Sequence, residues 1–164
     1  MQAESLFVDA PARSLPTGTV TFLLTDIEGS TRLWETQPDA MRVALARHDA
    51  LLRKAIGERG GQIFKTGGDA FYAVFVAAGH ALAAALDGQQ ALFDESWPEG
   101  ARIKVRMALN TGEAHLRDGD YFGTVLNRVA RVLSAAHGGQ ILVTDFTQRQ
   151  CAASLPPGVT TRSL

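Results

Sequence analysis

Residues 62–76 read QIFKTGGDAFYAVFV, two short apolar runs on either side of Gly67-Gly68-Asp69. Strand-like runs separated by glycine and aspartate predict a β-hairpin. Upstream, TVTFLLTD (19–26) alternates Val20, Phe22 and Leu24 with its threonines until Asp26, which predicts a strand. The segment IEGST (27–31) is then a turn, with Ser30 or Thr31 available to cap a helix. That helix is expected over 31–57, with a break near Pro38 and an apolar stripe of Met41, Leu45, Leu52 and Ile56.

Downstream of the hairpin, the Ala- and Leu-rich stretch 79–94 predicts a second helix, and WPEG (97–100) ends it. RIKVRMALNTGE (102–113) is a strand by the alternation of Ile103, Val105, Met107 and Leu109. HLRDGDYFG (115–123) is polar and glycine-bearing, a hairpin or arm. A third helix is expected over 124–136, stopped by Gly138-Gly139. QILVT (140–144) is the last clear strand, with a short helix after it. The order β-α-β-β-α-β followed by additions defines an α+β, ferredoxin-like split βαβ core. Residues 1–16, with Pro11 and Pro16, are expected to form a flexible tail. The folded domain is expected over 17–153. Residues 154–164, with Pro156-Pro157, form a second tail.

At 164 residues the chain suits one domain with a sizeable core. It is 46% hydrophobic and 20% charged with a net charge of -1, so nothing draws it onto a nucleic-acid polymer or an anionic membrane. No stretch approaches the ~20 apolar residues of a membrane span. A single cysteine, Cys151, excludes an intrachain disulfide, and a cytoplasmic location is expected. Four scattered histidines lack zinc-ligand spacing.

Several polar residues stand where chemistry is available. Asp26 ends the first strand beside a helix start, where free N–H groups suit phosphate and a carboxylate can hold a divalent cation. It is equally placed to cap the turn. Asp69 lies in the hairpin, and the split βαβ order makes that hairpin a neighbour of the first strand. Two adjacent carboxylates repel unless a cation lies between them, and in-line attack at phosphorus with two metals uses such a pair. Lys65 in its strand and Asp120 in its loop are each either solvated or ligand-facing. Asn127 and Arg131 share a helix face, opposite an apolar face of Val125, Val129, Val132, Leu133 and Ala136. They are an ordinary exposed face or one that meets a second subunit and its ligand.

FLLTDIEGST, FKTGGDAFYAVF, VRMALNTGEA and GDYFGTVLNRVARVLSAAHGGQILVT, in that order from residue 18 to 150, resemble class III adenylyl and guanylyl cyclase catalytic domains. The resemblance implies two Mg²⁺ or Mn²⁺ ions held by Asp26, Asp69 and the Ile27 carbonyl. It implies that backbone N–H groups of Ile27, Glu28, Gly29, Ser30 and Thr31 hold the β- and γ-phosphates. Lys65 and Asp120 resemble the purine-reading pair, where Lys donates to adenine N1 and Asp accepts from the N6 amine. Guanylyl cyclases typically carry Glu and Cys there, so the implied substrate is ATP and the product cyclic AMP. Asn127 would position the ribose and Arg131 would stabilise the transition state. The family works as head-to-tail dimers with shared sites, which implies a homodimer and makes residues 115–123 a dimerisation arm.

Two positions depart from the family. Ala70 follows Asp69 where many relatives have glycine. A basic triphosphate-contacting residue carried in a later strand pair has no counterpart, and Arg32 or another cation is expected to substitute. The alternatives are a silent nucleotide-binding or dimerisation module of the same fold, or a guanylyl cyclase. A diguanylate cyclase is weighed because GGDAF resembles GGDEF, but Ala70 replaces the glutamate and the Asn127/Arg131 helix is foreign to that pattern. An acylphosphatase-like or RNA-binding ferredoxin fold lacks support from stacking aromatics.

Overall fold

The computed structural model describes residues 14–164. Strand β1 (Gly18–Ile27) leads through a turn to helices α1 (Ser30–Thr36) and α2 (Pro38–Glu58). The break expected near Pro38 is real: Gln37 leaves the helical region and Pro38 restarts the chain as the first residue of α2, where a missing N–H costs nothing. The hairpin follows as β2 (Gln62–Gly67) and β3 (Ala70–Phe75), then α3 (Ala78–Asp94), β4 (Val105–Arg117), β5 (Asp120–Phe122), α4 (Thr124–Ser134), β6 (Ile141–Val143) and α5 (Asp145–Cys151). The sheet order is β2-β3-β1-β4-β5, with β6 parallel to β4 and the other pairs antiparallel. The α+β core with extra strands is therefore as expected from the sequence.

Two expected boundaries move. The fourth strand begins at Val105 rather than Arg102, although Ile103 is still buried. It then runs to Arg117, so the expected arm is the far half of β4 turning back into β5. Asp118 and Gly119 make that turn with φ of 52° and 77°, a conformation that aspartate tolerates and glycine favours. Residues 14–16 also depart from the tail expected for them. The buried Tyr121 hydroxyl donates to the Pro16 carbonyl at 2.6 Å, and Leu15 packs beside it. A buried phenol needs an acceptor, and the chain before β1 supplies it. The rest of the expected N-terminal tail, residues 1–13, lies outside the described residues.

The period-2 alternation sorts the sheet into two faces. Leu23, Ile27, Phe71, Phe75, Met107 and Leu109 pack against α2 and α3 through Met41, Leu52, Ile56, Ala81 and Ala85. On the opposite face Val20, Phe22, Leu24, Val74 and Ala108 pack against Val129 and Leu133 of α4 and Tyr121 of β5. The first face has two long helices over it. The second has one shorter helix and the β4–β5 arm.

Candidate active site

Asp26 continues the series Val20, Phe22 and Leu24, so its carboxylate emerges at the end of β1 on the α4 face of the sheet. Asp69 sits in the β2–β3 turn, and its Oδ2 accepts the Ile27 N–H at 2.9 Å. That bond draws the hairpin tip onto the end of β1 and brings the two aspartates to one place. Both are half-buried. Among the described residues no group of three or more His, Cys, Asp or Glu side chains is gathered for a metal. Two carboxylates completed by a carbonyl, water and substrate phosphates suit Mg²⁺, which is commonly held by one or two carboxylates. The donor set thus fits the implied ions.

Sequence reasoning missed Arg106. It lies directly opposite Asp26 in the β1–β4 ladder. Its Nε donates to Asp26 Oδ1 at 2.6 Å and its Nη2 to Asp26 Oδ2 at 2.5 Å. This bidentate bond raises the guanidinium pKa further above its already high value, with added pull from Asp26, Glu28 and Asp69 charges and an opposing effect of burial. The cue was present in IKVRMALN, where Lys104, Arg106, Ala108 and Asn110 occupy the positions between the apolar ones. Arg32, the cation expected from the sequence, is exposed on α1, and its side chain makes no ion pair or hydrogen bond among the described residues.

The backbone N–H groups of the expected phosphate-binding turn fall into two sets. The Ile27 N–H is taken by Asp69, and the Glu28 N–H donates to the Lys104 carbonyl at 2.9 Å. Both amides are engaged in this structure, one by a side chain of the hairpin turn and the other by the lead-in to β4. The N–H groups of Gly29, Ser30 and Thr31 form no backbone bond, as befits the start of a helix. Gly29 adopts φ of 66°, which turns the chain sharply out of the strand into α1.

Lys65 and Asp120 lie on strands at opposite ends of the sheet order, yet the fold brings their neighbourhoods together. Ile63 packs on the α2/α3 face and Phe64 on the other, and a register irregularity between Ile63 and Lys65 then pairs Lys65 with Tyr72 on the Phe64 face instead of returning it to that of Ile63. A bulge commonly re-aims a side chain in this way. The β4–β5 arm curls over that face until Tyr121 meets Phe64 edge-on, ring centroids 4.9 Å apart. Lys65 follows Phe64 and Asp120 precedes Tyr121, so each flanks this contact by one residue. Lys65 is exposed with its ammonium 5.5 Å from the Tyr72 ring centre. Asp120 Oδ1 accepts the Tyr121 N–H at 2.8 Å, leaving its other oxygen for a ligand.

Asn127 and Arg131 are both exposed on α4, on the side away from buried Val129 and Leu133. Among the described residues, no hydrogen bond or ion pair joins Lys65, Asp120, Asn127 or Arg131 to the aspartate pair. The candidate residues therefore form two groups. One holds Asp26, Asp69, Arg106 and the β1–α1 turn. The other holds Lys65, Asp120, Asn127 and Arg131.

A ferredoxin-like core with two aspartates beside a strand–helix turn and an outward Asn/Arg helix is the arrangement that the resemblance to nucleotide cyclases implies. Residues 13–156 match the family model for the adenylate and guanylate cyclase catalytic domain, and the chain belongs to that family. It is 41% identical over 147 residues to an uncharacterized protein of Mycobacterium tuberculosis, covering 88% of this chain and 49% of that protein. It is 36% identical over 162 residues to an adenylate cyclase of Lachancea kluyveri, covering 83% of this chain and 9% of that one. The chain thus spans half or less of the length of these relatives. Among solved structures, an adenylate/guanylate cyclase/hydrolase from Silicibacter pomeroyi superposes with a TM-score of 0.74 at 33% identity, over 86% of this chain and 83% of that one. No helix among the described residues is long and apolar enough to cross a membrane.

Proposed function

We propose that this domain is an adenylyl cyclase, converting ATP into 3′,5′-cyclic AMP and pyrophosphate at sites shared between two head-to-tail copies. The observation that carries the reading is the bond from the Ile27 N–H to Asp69 Oδ2, because it ties Asp69 to the residue after Asp26 beside the β1–α1 turn. Asp26, Asp69 and the Ile27 carbonyl would hold two Mg²⁺ or Mn²⁺ ions. When bound, these ions lower the pKa of the ribose 3′-hydroxyl and neutralise charge on the departing pyrophosphate. Asp26 would share its carboxylate between Arg106 and the cation. The Gly29, Ser30 and Thr31 amides receive the β- and γ-phosphates.

The second copy supplies the other group. Its Lys65 donates to adenine N1 and its Asp120 accepts from the N6 amine. This polarity suits adenine and opposes guanine. Its Asn127 orients the ribose, and its Arg131 hydrogen-bonds the α-phosphate oxygens as charge accumulates there. Catalysis of this kind is mostly positioning and electrostatic stabilisation. The exposure of Lys65, Asn127 and Arg131 supports a site completed by another chain. With a single buried thiol and ATP as substrate, the reading is of a cytoplasmic enzyme.

The test is product formation from ATP and from GTP, with Mg²⁺ and with Mn²⁺. Wild type is compared with Asp26→Ala, Arg131→Ala and an equal mixture of the two. Cyclic AMP from wild type and the mixture, with none from either variant alone, is the expected result, because a mixed dimer keeps one intact site. Nucleotide binding without product from concentrated wild type would favour the silent module instead.

A further inference from the structure

We propose that Glu28 is a positioning residue: its side chain grips the turn between α4 and β6 and thereby fixes the β1–α1 turn. The proposal rests on the reading of Gly29–Thr31 as the triphosphate-binding segment. Glu28 stands between that segment and Ile27, yet its carboxylate faces the other way. Its Oε1 accepts the Gly138 N–H at 3.1 Å. A Cβ on Gly138 would lie 2.6 Å from Glu28 Oε2 and 2.6 Å from Lys104 Cβ, closer than carbon ordinarily approaches either atom. The end of the Glu28 side chain could swing aside, so Lys104 Cβ is what keeps position 138 a glycine, and the carboxylate reaches the N–H of that bare backbone.

Both partners of this contact are held. The Glu28 N–H donates to the Lys104 carbonyl at 2.9 Å, which anchors the residue's backbone to the lead-in of β4. On the other side, the Gly139 N–H donates to the Val105 carbonyl at 2.9 Å. The His137 N–H donates to Gln140 Oε1 at 2.7 Å, closing the turn on itself. Gln89 Nε2 from α3 adds a bond to the Val105 carbonyl at 2.8 Å. The α4–β6 turn is thus a fixed point of the sheet edge, and Glu28 ties the β1–α1 turn to it. That turn needs a tie. Helix α1 contains no buried residue and has no side-chain cap. Beyond Glu28, the first backbone bond is Leu33 N–H to the Gly29 carbonyl. Without the carboxylate grip, Gly29–Thr31 would be held only from its ends, by the Glu28 backbone bond to Lys104 and by Leu33, which packs against the core.

The experiment compares Glu28→Gln, Glu28→Ala and Gly138→Ala with wild type in two readouts. The first is amide hydrogen exchange in residues 28–33 and 137–140 without nucleotide. The second is KM for ATP against kcat. Glu28→Ala and Gly138→Ala are expected to speed exchange in both segments together. They should raise KM about fivefold, as loss of one charge-assisted hydrogen bond in partly exposed surroundings would, with kcat within twofold. Glu28→Gln keeps a carbonyl in place of Oε1 and is expected to restore exchange and KM to near wild-type values. A Glu28→Gln variant as impaired as Glu28→Ala would overturn the proposal, because the charge rather than the grip would then matter. So would unchanged exchange in 28–33 in Glu28→Ala. If wild type makes no cyclic nucleotide, the cyclase reading fails while the exchange arm still decides the grip.

Discussion

Arg106 and Asp26 face each other across the β1–β4 ladder and share two parallel hydrogen bonds, of 2.6 and 2.5 Å, with both side chains still about a quarter exposed (28% and 23%). The carboxylate proposed for the metal thus has an internal cation already in contact. Asp69 and Glu28 add to the negative field that Arg106 answers. The guanidinium is a partner that the ion has to displace in part.

Arg106→Ala should therefore do two opposite things. It leaves Asp26 beside Asp69 without a counter-charge, which should lower stability by about 1–3 kcal/mol in metal-free buffer. It also removes the competitor for Asp26, so millimolar Mn²⁺ should raise the melting temperature of the variant more than that of wild type. Thermal melts of both proteins with and without Mn²⁺ check this. An equal or smaller metal shift in the variant would mean that Asp26 is not a metal ligand.

The proposed adenine reading assigns purine recognition to Lys65 and Asp120, which flank the Phe64–Tyr121 contact. The double variant Lys65→Glu with Asp120→Cys reverses the hydrogen-bond polarity without disturbing those rings. The expected result is at least about a tenfold fall in kcat/KM for ATP, the scale of two lost ligand hydrogen bonds, together with a gain for GTP. Kinetics with both nucleotides measure it. Unchanged ATP preference would remove these two residues from purine recognition.

The fold was legible because each element carried its own period. Leu23 and Ile27 alternate with Phe22 and Leu24, and Val129 and Leu133 recur at helical spacing, as the two packed faces of the sheet require. Asp26 and Asp69 were legible as neighbours because the split βαβ order puts β3 next to β1. What the periods do not encode is pairing across the ladder. Arg106 meets Asp26 only because residues 26 and 106 are in register, and nothing local to either segment states that register. The acceptors of the Ile27 and Glu28 amides, Asp69 and Lys104, likewise come from distant segments. The Phe64–Tyr121 contact beside Lys65 and Asp120 depends on a strand irregularity and a curled arm, both tertiary features.

His48 gives the domain a built-in acid sensitivity. It is fully buried on α2, with Nδ1 2.8 Å from Asp49 Oδ1, Nε2 unpartnered, and its ring stacked on Phe71 at 5.7 Å. Burial lowers its pKa, against the opposing pull of Asp49 and Asp69. Arg53 lies over the same Phe71 ring. A histidine held neutral in the fold but free to protonate when unfolded, near 6.5, stabilises the fold above that value. Stability should fall as pH drops below 6.5 toward the lowered folded pKa, by at most about 1.4 kcal/mol per pH unit. Urea unfolding of wild type and His48→Leu between pH 5 and 8 tests this. The His48→Leu curve should be flatter over that range, and identical slopes would assign the acid sensitivity to other groups.

The position of α4, and with it Asn127 and Arg131, is set from β4 by two contacts on Val125. Asn110 Nδ2 donates to the Val125 carbonyl at 3.0 Å, and Asn110 Oδ1 is itself fixed by the Thr144 hydroxyl at 2.9 Å. Gly112 meets the Val125 side chain so closely that a Cβ there would lie 2.6 Å from Val125 Cγ2. Valine has few rotamers to escape into, so Gly112→Ala must push the start of α4 off the sheet. The expected cost is about 1–3 kcal/mol of stability. Cyclase turnover should fall by about tenfold or more, since small misplacements of catalytic groups are costly. Adding Val125→Ala removes the clashing methyl groups and should recover most of the lost turnover. Melting curves and initial rates for the single and double variants check this, and a double variant no better than Gly112→Ala would show that the Gly112–Val125 contact does not position α4.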